Sequence, residues 1–347
     1  MLAIATPALS MRMGVGDAAN DPSSTTTHKA YELLAEGFGQ GFNGPLAVVA
    51  QLPRAGDQAA LGSIATALRD TRDVASVSAP TIGPRGRTAV YQVFPRSSPQ
   101  ADATGRLVKT LRNTVLPPVA HGSGATVLVG GVTAASVDFT HVLSAKLPLF
   151  IAVVVGLAAL LLLLVFRSFV IPVQAAVMNL LSIAAALGVT VAVFQHGWLG
   201  SVVGVEKGPI EPWLPVMLFA IVFGLSMDYE VFLVSRIREA WSGHRDPSRA
   251  VVDGVASTGR VITAAATIMV CVFLAFVLGP ERDVKLFGLS LASAVFLDAF
   301  VVRCLLLPAV LELSGRRTWA FPARLGRTPR LPTEQEPQVA PTPSEAT

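Results

Sequence analysis

Five stretches of this chain shed nearly all their charges, while the residues before them keep theirs. The stretch 147–166 carries no charge over 20 residues, and 170–194 is a second such run. A third, 213–234, is broken by Asp228 and Glu230; a fourth is 261–278; a fifth, 284–310, carries Lys285, Asp298 and Arg303. A membrane-spanning helix takes about 20 apolar residues. In hydrocarbon every backbone amide must bond within its own segment, so the pattern predicts five spanning helices.

The pattern changes before residue 147. Residues 46–52 form a short Val-rich run that reads as a strand. Leu61, Ile64, Ala65 and Leu68 have helical spacing. The segments 74–77 and 89–94 read as strands separated by a Gly83-Pro84-Arg85-Gly86 turn. Leu107, Leu111 and Val115 mark a second helix, which Pro117-Pro118 is expected to stop, and 126–129 is a last strand. The order β-α-β-β-α-β is the ferredoxin-like pattern. The apolar run at 1–10 lacks a basic flank and is too short to cross a bilayer; it reads as the end of a helix whose beginning is missing. The expected organisation is a truncated transmembrane helix at 1–19, a water-facing α+β domain at 20–146, a five-helix membrane domain at 147–313 and a tail at 314–347. The last residues of that tail, 332–347, are rich in Pro, Glu, Thr and Ser and read as disordered.

Charge placement orients the bundle. Arg236, Arg238, Arg245, Arg249 and Arg260 lie between the third and fourth spans, Arg316, Arg317, Arg324, Arg327 and Arg330 follow the fifth, and Arg167 separates the first two. The other side has only Lys207, Arg282 and Lys285 in short loops, with Lys146 at the border. The positive-inside rule makes the Arg-rich side cytoplasmic, with the water-facing domain outside and the C-terminus inside. The net charge is +4, from 27 Lys and Arg against 23 Asp and Glu. Those basic residues cluster beside apolar segments, so nucleic acid is not an expected partner. Cys271 and Cys304 both sit in apolar runs, which argues against a disulfide framework.

Asp228 is the main chemical candidate. A charge in an apolar span costs roughly 2.5–3.5 kcal/mol on insertion scales, and a carboxylate escapes by taking up a proton. Tyr229 adds a hydroxyl that can donate to that carboxyl or pass a proton. The alternative is a purely structural Asp bonded to a neighbouring helix. Glu230 reads as an interfacial partner for Arg236 or Arg238. Asp298 and Arg303 are a possible polar support; five residues apart, they are not expected to share one face of an α-helix, and Arg303 is expected to reach toward the cytoplasmic interface. Asn179 and Ser182 read as interhelical hydrogen-bonding groups. No His/Cys/Asp cluster has metal spacing, no nucleophile motif stands out and no phosphate loop is present, so neither an enzyme nor a cofactor is expected.

The segment Gly224-Leu-Ser-Met-Asp-Tyr-Glu-Val-Phe-Leu-Val-Ser-Arg-Ile-Arg-Glu239 closely resembles the MmpL family (mycobacterial membrane protein large) of the RND transporter superfamily. Thr258-Gly-Arg-Val-Ile-Thr-Ala-Ala-Ala-Thr-Ile-Met269, Leu297-Asp-Ala-Phe-Val-Val-Arg303, Leu307-Pro308 and Leu33-Leu-Ala-Glu-Gly-Phe-Gly-Gln-Gly-Phe-Asn43 extend the resemblance over nearly the whole chain. It implies an RND-like half-bundle with an extracytoplasmic porter domain, matching the C-terminal half of such a transporter. Asp228 and Tyr229 take the place of one Asp-Tyr pair in a proton relay that the two halves share. It further implies export of lipid or other hydrophobic small molecules driven by the proton motive force. The implied partners are cargo, protons, membrane lipids and a missing N-terminal half or second subunit. The competing expectation is a non-transporting membrane scaffold or lipid-sensing subunit, or an inactive fragment of such a transporter.

Overall fold

The computed structural model describes residues 1–244 and 246–315; the expected tail lies outside these residues beyond Gly315. The chain opens with a helical turn, Leu2–Ala5, and a 3-10 turn, Thr6–Ser10. An extended strap then leads to α1 (Thr26–Phe38). The outer domain continues as β1 (Leu46–Gln51), α2 (Gln58–Arg69), β2 (Val74–Val77), β3 (Thr81–Ile82), β4 (Thr88–Pro95), α3 (Asp102–Thr110), α4 (Leu116–Ser123) and β5 (Thr126–Gly130). The sheet is antiparallel with order β2-β4-β1-β5, and β3 hangs on β4. Along β1, Leu46, Val48 and Ala50 are buried and their neighbours are not, the period-2 alternation that packs one sheet face on helices. Leu61, Ile64, Ala65 and Leu68 of α2 meet that face. Tyr91 is fully buried there and donates to the Leu61 carbonyl at 2.9 Å. Burying each such aliphatic side chain contributes about 1.5–3 kcal/mol. Asp57 caps α2 by accepting from the Ala60 amide at 3.0 Å, a contact worth about 1 kcal/mol.

Pro117 and Pro118 do not stop the second helix. A π-helical turn, Leu111–Val115, follows α3, and α4 resumes with the prolines at its first positions. The wider π turn ahead of them, in which the Leu116 amide donates to the Leu111 carbonyl, carries the helix past the missing N–H groups.

Among the described residues, five helices long and apolar enough to cross a membrane follow. They are α5 (Val132–Phe166), α6 (Val170–Thr190, continued by a π turn at Val191–Gln195), α7 (Leu214–His244), α8 (Pro247–Ala275) and α9 (Arg282–Phe296). The last continues through a π-helical stretch, Leu297–Leu306, into α10 (Leu307–Ser314). α5 starts one residue after the Gly130–Gly131 pair that ends β5, so the outer domain and the first span share one continuous helix. Arg112 secures that junction, donating to both oxygens of Asp138 and to the Val129 carbonyl at 2.8 Å. Arg236, Arg238, Arg249 and Arg260 ride on helical extensions of α7 and α8 rather than on a long loop.

α6 and α9 are the most enclosed spans, whereas α5 and α8 expose most of their apolar surface. Small residues permit the close approaches, as expected where helices associate without water to expel. A Cβ on Gly188 of α6 would stand 1.9 Å from the Ile4 carbonyl oxygen of the opening turn. A Cβ on Gly288 of α9 would stand 2.6 Å from the Phe273 carbonyl oxygen of α8.

Candidate functional site

α7 presents two faces of opposite character. Phe219, Val222, Phe223, Ser226, Glu230, Leu233, Val234 and Ile237 recur at three- and four-residue steps, and all are buried. Asp228 lies on the opposite, exposed face, and Tyr229 is half-buried between the two. The burial expected for Asp228 is therefore not supplied by the described residues.

The buried ionic centre is formed instead by Asp298 and Arg303, 5% and 3% exposed. A π-helical repeat brings residues i and i+5 onto one face, and the Leu297–Leu306 stretch does this here. Arg303 donates from Nε to Asp298 Oδ2 at 2.9 Å. Ser226 Oγ donates to the same oxygen at 2.7 Å, and Arg303 Nη2 donates to the Ser226 carbonyl. The guanidinium also lies 5.6 Å from the centre of the Tyr229 ring, within cation–π range. Arg303 thus turns inward and does not reach for the interface. Asp298 Oδ1 and Arg303 Nη1 have no hydrogen-bond partner among the described residues. A void of about 10 Å³ between Ser226, Tyr229 and Asp298 is at the lower limit for one water molecule.

Glu230 is the buried carboxyl that the sequence reading misplaced. It is 3% exposed and accepts from Asn179 Nδ2 of α6 at 3.3 Å. Its expected partners are engaged elsewhere: Arg236 pairs with Glu239 at 2.9 Å, and Arg238 donates to the Val165 carbonyl at 3.1 Å. The missed signal was the i, i+4 relation between Ser226 and Glu230 on the apolar stripe of α7. Asn179 and Ser182 do bond between helices, Ser182 Oγ reaching the Ala294 carbonyl at 3.5 Å.

The result is two carboxyls inside the bundle, a third on its exposed face and Tyr229 alongside the buried pair. An ion pair in so apolar a setting keeps its charges only while both partners are in place. Loss of either charge would leave the other buried without its partner, so the centre ties the charge balance of the bundle to the contact between α9 and α7.

A second feature lies outside the bundle. A cavity of about 870 Å³ opens between the strap, the sheet and the start of α5. Gly14, Leu46 and Val137 border it together with Arg106, Lys109 and His141. This volume is in the range that takes a drug-sized amphiphile.

Membrane protein YdfJ of Bacillus subtilis is 37% identical over 331 residues, covering 94% of this chain and 45% of its own length. The mycolic acid-containing lipids exporter MmpL11 of Mycolicibacterium smegmatis is 33% identical, covering 94% of this chain and 35% of that protein. The heme uptake protein MmpL11 of Mycobacterium tuberculosis is 34% identical, covering 93% of this chain and 34% of that protein. The chain spans less than half the length of these relatives. The MMPL family model matches residues 19–343. With its five apolar helices and this match along nearly its whole length, the chain is a multi-pass membrane protein that belongs to the MMPL family.

Proposed function

We propose that this chain is one half, the C-terminal one, of a proton-driven exporter of lipid or other hydrophobic small molecules. The observation that carries the reading is the Asp298–Arg303–Ser226 centre, an ionised group buried among apolar helices with Tyr229 beside it. Intramembrane ionisable residues are costly, and where they occur they mark proton or substrate pathways. Asp228 and Tyr229 serve in the proton relay. Asp228, on the exposed face of α7, meets the second half or subunit there.

The strand order of the outer domain supports a ferredoxin-like porter domain. The Arg-rich ends of α7 and α8 support a cytoplasmic location for that side, a cytoplasmic C-terminus and an extracytoplasmic porter domain. Relatives are described as handling lipids in one case and heme in another. The shared chemistry is an apolar amphiphile, and the cavity beside the strap is the outer-side station for it.

The test is export of a fluorescent lipid from vesicles containing the assembled transporter under an imposed pH gradient. Asp228→Asn is expected to abolish export while insertion is unchanged. Full export from that variant would remove Asp228 from the relay, export indifferent to an uncoupler would remove the proton drive, and no export, with partner binding indifferent to both, would leave a scaffold or lipid sensor as the better description.

A further inference from the structure

The strap formed by residues 11–21 is tied to the bundle along its length. The Gly14 amide donates to the Ile210 carbonyl at 3.0 Å, and the Ile210 amide to the Arg12 carbonyl at 2.9 Å. The Gly16 amide donates to Glu211 Oε1 at 2.6 Å, and Asn20 Nδ2 to the Lys207 carbonyl at 2.9 Å. Two glycines allow this contact. A Cβ on Gly16 would stand 3.0 Å from Glu211 Oε1, and one on Gly208 would stand 2.5 Å from Asn20 Nδ2 and 2.9 Å from Arg282 Nη2. Strap and loop are therefore packed together as one body.

This body is held from both ends. On the outer side Gln100, in the loop between β4 and α3, donates to Asp17 Oδ1 at 2.5 Å and to Asn20 Oδ1 at 2.6 Å. On the membrane side Arg282, the first residue of α9, is 6% exposed, and its Nη2 donates to the Pro209 carbonyl at 2.8 Å. Its guanidinium lies 5.7 Å from the centre of the Phe194 ring, and its Nε has no hydrogen-bond partner among the described residues. One turn further, Lys285 donates to the Val203 carbonyl at 2.8 Å. The same helix reaches Asp298 about 24 Å deeper, at about 1.5 Å per residue, with Arg303 beyond it.

We propose that Arg282 is the positioning residue that passes displacement of α9 to the outer domain, through the loop at 207–211, the strap and Gln100. The domain has a second mooring in α5 with its Arg112–Asp138 clamp. A body moored to two helices must tilt when one shifts against the other, and a tilt alters the cavity that strap and α5 both border. The proposal rests on the transport reading for what displaces α9; the joint itself does not depend on it.

The test is amide hydrogen exchange on the full chain in lipid nanodiscs, with Asp298→Asn as the perturbation at depth. With Arg282 present, Asp298→Asn is expected to change exchange at Gly14 and Gly16 at least threefold. In an Arg282→Gln background the same change at depth should leave those two amides unaltered. Gln100→Ala provides a second arm that does not touch the bundle: the signal should still reach Gly16 but no longer reach the Ala101 and Thr104 amides. An equal response with and without Arg282, or no response at the strap in either background, overturns the proposal. Absence of proton-dependent export by the unaltered assembled transporter, with the exchange coupling intact, would sink the transport reading alone.

Discussion

Arg303 donates from Nε to Asp298 Oδ2 at 2.9 Å although the two residues are five apart on one helix, because the backbone between Leu297 and Leu306 follows a π-helical repeat. The widened turn brings together two charges that a regular α-helix would hold about 140° apart around its axis, at 100° per residue. Ser226 of α7 then bridges to the pair from both its hydroxyl and its carbonyl. The centre therefore fastens α9 to α7 as well as balancing its own charge.

Removing one member of this centre should cost more than removing both. Arg303→Met leaves Asp298 buried without its cation, and a broken buried pair costs about 3–5 kcal/mol. The double variant Asp298→Asn, Arg303→Met removes both charges and should recover most of that loss. A double-mutant cycle read by denaturant unfolding in detergent checks this. Additive losses would mean that the two side chains act independently.

Among the described residues, Glu230 accepts a hydrogen bond from Asn179 of α6. Asn179→Ala removes it and is expected to destabilise the bundle by about 1–3 kcal/mol, the cost of leaving a buried acceptor unsatisfied. Glu230→Gln keeps the shape and an accepting oxygen and should cost less than Asn179→Ala. The ranking of the two melting temperatures is the readout, and the reverse order would contradict the assigned contact.

How much of this was legible in the sequence differs between elements. Charge-free runs of 20 residues announce spans because hydrocarbon leaves few alternatives, and the alternation of Leu46, Val48 and Ala50 announces a half-buried strand. The Asp298–Arg303 pair was not legible, because residue spacing is converted into a face by assuming 3.6 residues per turn, and that stretch does not obey it. The place of Glu230 was legible in principle. Reading α7 from Phe219 through Ser226 to Ile237 as one stripe puts Glu230 inside and Asp228 outside. The neighbouring arginines at 236 and 238 suggested a closer partner and hid that stripe.

The strap should dock more firmly in acid. Burial raises the carboxyls of Asp17 and Glu211 above their ordinary range, more strongly than the nearby donors lower them. A raised carboxyl pKa means that the docked state holds its protons more tightly than the released state. Its stabilising effect is therefore full below the ordinary carboxylate range and fades as pH rises through the raised values. Exchange at Gly14 and Gly16, corrected for the intrinsic pH dependence, is expected to slow on acidification from neutral pH. Glu211→Gln should flatten that response, and an unchanged response would assign it to other groups.

Gly188 should tolerate no side chain. Gly188→Ala puts a methyl group against the Ile4 carbonyl, and such overpacking typically costs about 1–3 kcal/mol. Faster proteolysis within the first ten residues is the expected result. Unchanged proteolysis and an unchanged melting temperature would show that the opening turn does not rest on α6.

The most direct test of the central claim is isotope-edited infrared difference spectroscopy of the carboxyl groups while the assembled transporter, in oriented vesicles, moves lipid under a pH gradient. A band for a protonated carboxyl should rise and fall with turnover and should vanish in Asp228→Asn or change in Asp298→Asn. Lipid movement at full rate with every carboxyl held in one ionisation state would contradict the account.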